Sequence, residues 1–238
     1  MAPKPGSTEA PYGGTETGFS AVLFDWRGTL FHDESDQEWI RASAASIGRT
    51  PSDDEVDDLA KRLGAAAEHP FVRAAREHAD CSVELHRAAT LLELRLAGFD
   101  DELALAVWKR DGDVGATHPY PDTPRVLREL KARGIRIGVI SDIHYHLRPI
   151  FEHYRLADCI DAFTLSFQHG CQKPDQRLFE IALHALGARP ANTLMVGDRA
   201  NRDGGAVSVG MTAVILPSVP NFTPRGLDIV LRLAPLTA

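Results

Sequence analysis

The feature that most narrows the fold is a rhythm. Beyond Tyr120-Pro121, short apolar runs alternate with amphipathic helical segments, and the runs stop at polar residues. Asp122–Arg133 reads as a helix closed by Gly134, and IRIGVI (135–140) as a buried strand ending at Ser141-Asp142. A helix around Arg148–Arg155, a strand near Ala162–Ser166 and a helix over Asp175–Leu186 follow. Thr193–Val196 is a strand ending at Gly197-Asp198, a short helix ends at Gly210, and Ala213–Leu216 is the last strand. One further strand stands far upstream, in FSAVLFD, and ends at Asp25. Strands alternating with helices predict an α/β fold with a doubly wound parallel sheet.

Between the first strand and the rest, His32 to His118 reads as helical, with no strand expected. Trp39, Ile40 and Ile47 mark a first helix, and TPSDDE (50–55) is a strong helix start with acids in the first turn. Ser82 begins a helix with Leu85, Ala88, Ala89, Leu92 and Leu96 on one stripe, stopped by Gly98. Asp100 caps a further helix holding Leu103, Val107 and Trp108. The expectation is a bundle of about four helices. Residues 1–19, rich in Pro, Gly, Ser and Thr, are expected to be a mobile tail. The chain thus divides into a tail (1–19), a sheet core (20–31 and 119–238) and a helical cap (32–118).

Composition excludes several classes. With 238 residues, 44% of them hydrophobic, the chain can bury a core without staples. A net charge of −7 argues against nucleic acid as a partner. Cys81, Cys159 and Cys171 form no CxxC pair, so neither a disulfide framework nor a structural zinc site is expected. No signal-like apolar segment opens the chain, and the longest stretch without a charged residue, Gly204–Pro224, is broken by Gly210, Pro217 and Pro220. No membrane partner and a cytoplasmic location are expected. The charge is uneven, since 32–118 holds 19 acidic and 10 basic residues. An acidic lid over a slightly basic core favours a small neutral or cationic leaving group.

The chemistry gathers just beyond the carboxyl ends of the expected strands, where open α/β sheets bind ligands. Asp25 follows the first strand, Ser141 the second, Lys173 the third, and Asp198 with Asp203 the fourth. Carboxylates suit a hard cation such as Mg²⁺, and Ser and Lys suit a phosphoryl group. An Asp carboxylate can also act as nucleophile.

These motifs resemble those of the haloacid dehalogenase superfamily: VLFDWRGT at Asp25, VISD at Ser141, QKPD at Lys173 and GDRANRD at Asp198 and Asp203. The resemblance spans about residues 20–216 and fits the subgroup with a helical cap inserted after the first motif. It implies a Rossmann-like hydrolase core and a Mg²⁺-dependent phosphatase, acting on a small phosphorylated molecule through an aspartyl-phosphate on Asp25. It further implies that Asp25, the backbone carbonyl of Arg27 and Asp198 hold Mg²⁺, assisted by Asp203. Ser141 and Lys173 would bind the phosphoryl group, and Asp142 is counted with them among the substrate-binding residues. Monomer and homodimer are both compatible.

One departure matters. Arg27 stands where phosphatases of this family carry a second Asp, which protonates the leaving group and later activates water. Arginine keeps its charge and cannot do this. Either His32, Asp33 or His144 replaces it, or Arg27 itself stabilises developing charge. A metal-independent dehalogenase is the alternative, though Asp198 and Asp203 speak against it. A Schiff-base hydrolase would need a cap lysine, and Lys61 and Lys109 are the candidates. A degenerate phosphate-binding or interaction module would follow if Arg27 paired with Asp25 or Asp198. His69, His78, His86 and Trp108 are expected to pack rather than bind metal.

Overall fold

Residues 18–234 are described by a computed structural model. Five strands form a parallel sheet: β1 (Ala21–Phe24), β4 (Arg136–Ser141), β5 (Ala162–Leu165), β6 (Thr193–Gly197) and β7 (Thr212–Ile215), in the order β5-β4-β1-β6-β7. All four residues of β1 are buried, as befits a central strand covered on both faces. Its alternate side chains enter two cores. Val22 and Phe24 pack with Val126, Leu127 and Leu130 of α6 (Thr123–Ala132), Phe151 of α7 (Arg148–His153) and Val230 of α10 (Asp228–Leu233). Ala21 and Leu23 pack with Leu178, Phe179 and Ala182 of α9 (Gln176–Leu186). The α/β, doubly wound reading therefore holds.

Register places the chemistry. Phe24 lies opposite Val139 of β4 and Val196 of β6. The three central strands thus run out together, and Asp25, Ser141 and Asp198 emerge along one edge of the sheet.

The helical segment carries α1 (Asp36–Ser46), α2 (Asp53–Ala67), α3 (Pro70–Arg76), α4 (Val83–Leu96) and α5 (Asp101–Arg110). Local chemistry sets their starts. Ser35 and Ser52 each make a capping box with the Glu three residues on, and Ser82 and Asp100 cap α4 and α5. Ile40, Val56, Leu94, Leu103 and Val107 give this segment its own core.

Several expectations need correcting. The segment is bounded by strands: β2 (Phe31–Asp33) pairs antiparallel with β3 (Thr117–Pro119), with His32 opposite His118. Three residues are too few to show a period. The stripe expected on α4 is not its inner face. Leu85 and Leu96 are exposed, while His86, Ala89, Glu93 and Leu94 are buried. Glu93 tolerates burial because Arg76 donates to it through Nε and Nη2. The helix α3, and α10 beyond the last expected element, were not anticipated.

The tail reading falls almost wholly on residues 1–17, outside the described residues. All three cysteines are free. Among the described residues, no helix is long and apolar enough to cross a membrane. α8 (Ser166–His169) follows β5 directly.

Candidate active site

Asp25 is buried directly after β1, its N–H donating to the Val196 carbonyl at 2.8 Å. Lys173, fully buried, donates from Nζ to Asp25 Oδ1 and to Asp203 Oδ1, both at 2.6 Å. The second Asp203 oxygen accepts the backbone N–H of Asp198 at 3.0 Å and of Arg199 at 2.9 Å. Asp203 therefore fastens the loop after β6 to Lys173. Asp142 Oδ1 accepts the Lys173 N–H at 2.8 Å, so this residue, expected to bind substrate, steadies the lysine loop. Ser141 ends β4 and is buried.

Burial raises the Asp25 carboxyl to about 6, against the pull of Lys173. Burial alone would lower the Lys173 ammonium, but Asp25 and Asp203 outweigh it and hold it above the ordinary lysine range.

Asp25, Asp198 and Asp203 each bring a carboxylate oxygen within 4.8 Å of the others. Asp25 Oδ2 and Asp198 Oδ1 are buried with no hydrogen-bond partner among the described residues. Two free oxygens beside an excess of carboxylate over ammonium are what a hard divalent cation satisfies, so the residues fit Mg²⁺. Gly28 keeps the approach open. Its φ is +75°, and a Cβ there would come within 2.4 Å of Asp198 Oδ2.

Arg27 goes elsewhere. Its guanidinium reaches Asp111 Oδ1 at 2.5 Å, the Tyr145 hydroxyl at 2.7 Å and Asp33 Oδ1 at 3.0 Å. Its ion-pair partners are thus Asp33 and Asp111, not Asp25 or Asp198, which corrects the idea that it plugs the metal position. It also lies over the Trp26 ring, 4.7 Å from the centroid. Trp26 is fully buried in the sheet core and meets Tyr145 edge-on.

Asp111 follows α5, so this cluster ties the helical segment to the sheet. Burial opposes the Arg27 charge, but Asp111, Tyr145 and Asp33 more than restore it. Burial pushes the Asp33 carboxyl up to about 6, despite Arg27 beside it.

A cavity of about 240 Å³ opens on this side, lined among others by Arg27, Asp33, Trp39, Arg76, His86 and Asp111. Lys61 and Lys109 are exposed and do not line it, which removes the support for a Schiff-base lysine. His32 packs in the β2–β3 ribbon against Tyr120 and Phe222. Asp111, Tyr145 and Arg225 escaped the sequence reading. Arg225 is buried and donates to the Gly28 carbonyl, across almost the whole chain. Nothing local marks any of these partners.

A family model described as "haloacid dehalogenase-like hydrolase" matches residues 19–210. The chain belongs to the haloacid dehalogenase-like hydrolase family. Among curated relatives, the glyceraldehyde 3-phosphate phosphatase of Methanothermobacter thermautotrophicus is 35% identical over 42% of this chain and 45% of its own. The chain thus matches about half the length of that relative. The solved HAD phosphatase of Thermococcus onnurineus superposes with a TM-score of 0.60 at 22% identity, covering 90% of this chain and 96% of its own. A solved dehalogenase gives a TM-score of 0.67 at 19% identity, over 93% and 99%. The two structures share the fold with this haloacid dehalogenase-like chain.

Proposed function

We propose that the protein is a Mg²⁺-dependent hydrolase of a small phosphate ester, with Asp25 as nucleophile. The observation that carries this reading is the pair of unpartnered buried oxygens, Asp25 Oδ2 and Asp198 Oδ1, beside a lysine that spans Asp25 and Asp203. The name of the Methanothermobacter relative, a phosphatase of a small sugar phosphate, supports the substrate class.

Asp25, Asp198 and the backbone carbonyl of Arg27 would hold the ion, with Asp203 acting through Lys173 and the loop after β6. When bound, Mg²⁺ neutralises charge on the phosphoryl oxygens. Ser141 and Lys173 bind those oxygens and fix the phosphorus in line with Asp25.

Attack forms the bond from the Asp25 oxygen to phosphorus and breaks the ester P–O bond. The electron pair leaves with the alcohol oxygen, which takes up a proton. Water then cleaves the aspartyl-phosphate, restoring the carboxylate and releasing phosphate.

Arg27 cannot supply the proton. Asp33, raised to about 6 and paired with Arg27 in the cavity wall, is the group there suited to hold one near neutral pH. The helical segment acts as a cap that shields the site and contacts the leaving group.

The test is phosphate release from p-nitrophenyl phosphate with and without Mg²⁺. Wild type should require Mg²⁺, Asp25→Asn should be inactive, and Asp33→Asn should lose about 10²–10⁴-fold in rate, most strongly with poor leaving groups. Activity surviving in Asp25→Asn overturns the mechanism. Release by Arg27→Asp but not by wild type would make the native chain a binding module. Halide release from a 2-haloacid without metal would make it a dehalogenase.

A further inference from the structure

The connection from β5 to α9 carries Lys173, and two more of its residues, Ser166 and Gln172, reach across to the helical segment. Ser166 opens the connection and Gln172 immediately precedes Lys173. Both are buried, and the proposed phosphoryl transfer makes no use of either.

Gln172 engages both ends of its amide. Nε2 donates to the Glu77 carbonyl at 2.6 Å, and Oε1 accepts the Cys81 thiol, a weak donor, at 3.6 Å. The Ser166 hydroxyl donates to the Asp80 carbonyl at 2.5 Å and accepts the Ile143 N–H at 2.9 Å. Glu77, Asp80 and Cys81 all lie in the turn between α3 and α4. One stretch of the helical segment is thus fastened to the connection that carries the lysine.

The two fastenings are not equivalent. If the turn lifts, the Ser166 hydroxyl has another acceptor within reach, the Ile143 carbonyl at 3.1 Å. Among the described residues, the Gln172 side chain bonds to the turn alone. Its place therefore depends on where the turn sits.

Lys173 is held from the sheet side. Its N–H donates to Asp142 Oδ1 at 2.8 Å, Arg202 Nη1 donates to its carbonyl at 2.6 Å, and its Nζ spans Asp25 and Asp203. One planar peptide joins it to Gln172, so a shift of either residue is felt by the other. The turn also follows Arg76, which ends α3 and lines the cavity.

We propose that Gln172 is a positioning residue that couples docking of the turn at 77–81 to the placement of Lys173. Phosphoryl binding and closure of the cap then favour each other. The proposal rests on the phosphatase reading, in which Lys173 binds the phosphoryl oxygens. A phosphoryl group on Lys173 holds the lysine loop in place, Gln172 keeps the turn docked, and Arg76 stays in the cavity wall. By linkage, a docked turn strengthens phosphoryl binding by the same factor.

The experiment follows amide hydrogen exchange in the peptide covering residues 77–85 of the full chain, in Mg²⁺, with and without inorganic phosphate. Calorimetry gives the phosphate affinity. In wild type, saturating phosphate should slow exchange there about fivefold or more. Gln172→Met keeps the length of the side chain and removes both amide bonds. Its exchange at 77–85 should be fast and indifferent to phosphate, and phosphate should bind about fivefold or more weakly. Exchange in β1, β4 and β6 should be unchanged. A purely structural role would speed exchange without removing the response to phosphate. Cys81→Ala cuts the link from the other end, leaves the lysine loop intact and should show both changes in weaker form.

Phosphate that binds wild type without slowing exchange at 77–85 overturns the proposal. So does a Gln172→Met or Cys81→Ala protein that keeps both the response and the affinity, and so does a wild type that binds no phosphate. The phosphatase reading fails separately, on absent turnover of p-nitrophenyl phosphate.

Discussion

Arg27 shows how much one residue can redirect. Its position beside Asp25 was plain from the motif, and its inability to move a proton followed from its chemistry. Where its charge goes was not legible, because Asp111 and Tyr145 approach only after folding. Asp25, Lys173, Asp198 and Asp203 were legible for the opposite reason: Asp25 and Asp198 follow their strands directly, and Asp203 and Lys173 lie in the segments that leave β6 and β5 at the same edge. Gly28 offers a test at this scale. Gly28→Ala puts a Cβ into Asp198 Oδ2 and an L side chain at φ +75°. Strain should cost about 1–2 kcal/mol, read as a lower urea midpoint at unchanged slope. The Mg²⁺ needed for half-maximal activity should rise about tenfold or more if Asp198 is a ligand.

At the scale of elements, the sheet strands were readable because four to six apolar residues between polar ends carry a clear pattern. The ribbon β2–β3 was not, since three-residue strands are made by pairing rather than by propensity. The inner face of α4 was misread because its buried positions include His86 and Glu93, whose burial depends on distant partners. The start of α6 shows the same dependence. Asp122, read there only as a helix start, accepts backbone N–H groups of Arg225, Gly226 and Leu227 just before α10. Asp122→Ala leaves three donors without that acceptor, two of them in buried bonds. The expected loss is about 1–3 kcal/mol in urea unfolding. The Arg225 bond to the Gly28 carbonyl should loosen with it, lowering activity more than a surface change would.

Across the whole molecule, the helical segment and the sheet meet through groups whose charge depends on pH. His86 and His144 are held below their ordinary 6.5 in the folded chain, so between about 4 and 6.5 the unfolded chain binds more protons. Their contribution is fully present above about 6.5 and is lost as pH falls. Asp33 has the opposite sign: raised from 3.8 to about 6, it favours the folded chain as pH falls through that range. The two trends overlap, so the difference between proteins is the informative measurement. Wild type should lose more stability than His144→Asn between pH 7 and pH 5, by up to about 2 kcal/mol in denaturant titrations. Equal slopes would mean the His144 ring is hydrated in the folded chain.

The β2–β3 ribbon gives the molecule a particular modularity. Asp33 and Thr117 lie directly opposite each other, so the chain leaves the sheet core and returns to it one strand spacing away. Everything between is a single excursion on a narrow stem. The sheet that positions Asp25, Lys173 and Asp198 draws its register from β1, β4 and β6, none of which lies in that excursion. Under the proposed function, substitutions within the helices would reshape what contacts the substrate while the strand pairing that places Asp25 and Asp198 stays the same. On that proposal, chemistry and choice of substrate would be free to change at separate rates, with the Arg27–Asp111 ion pair the place where each constrains the other.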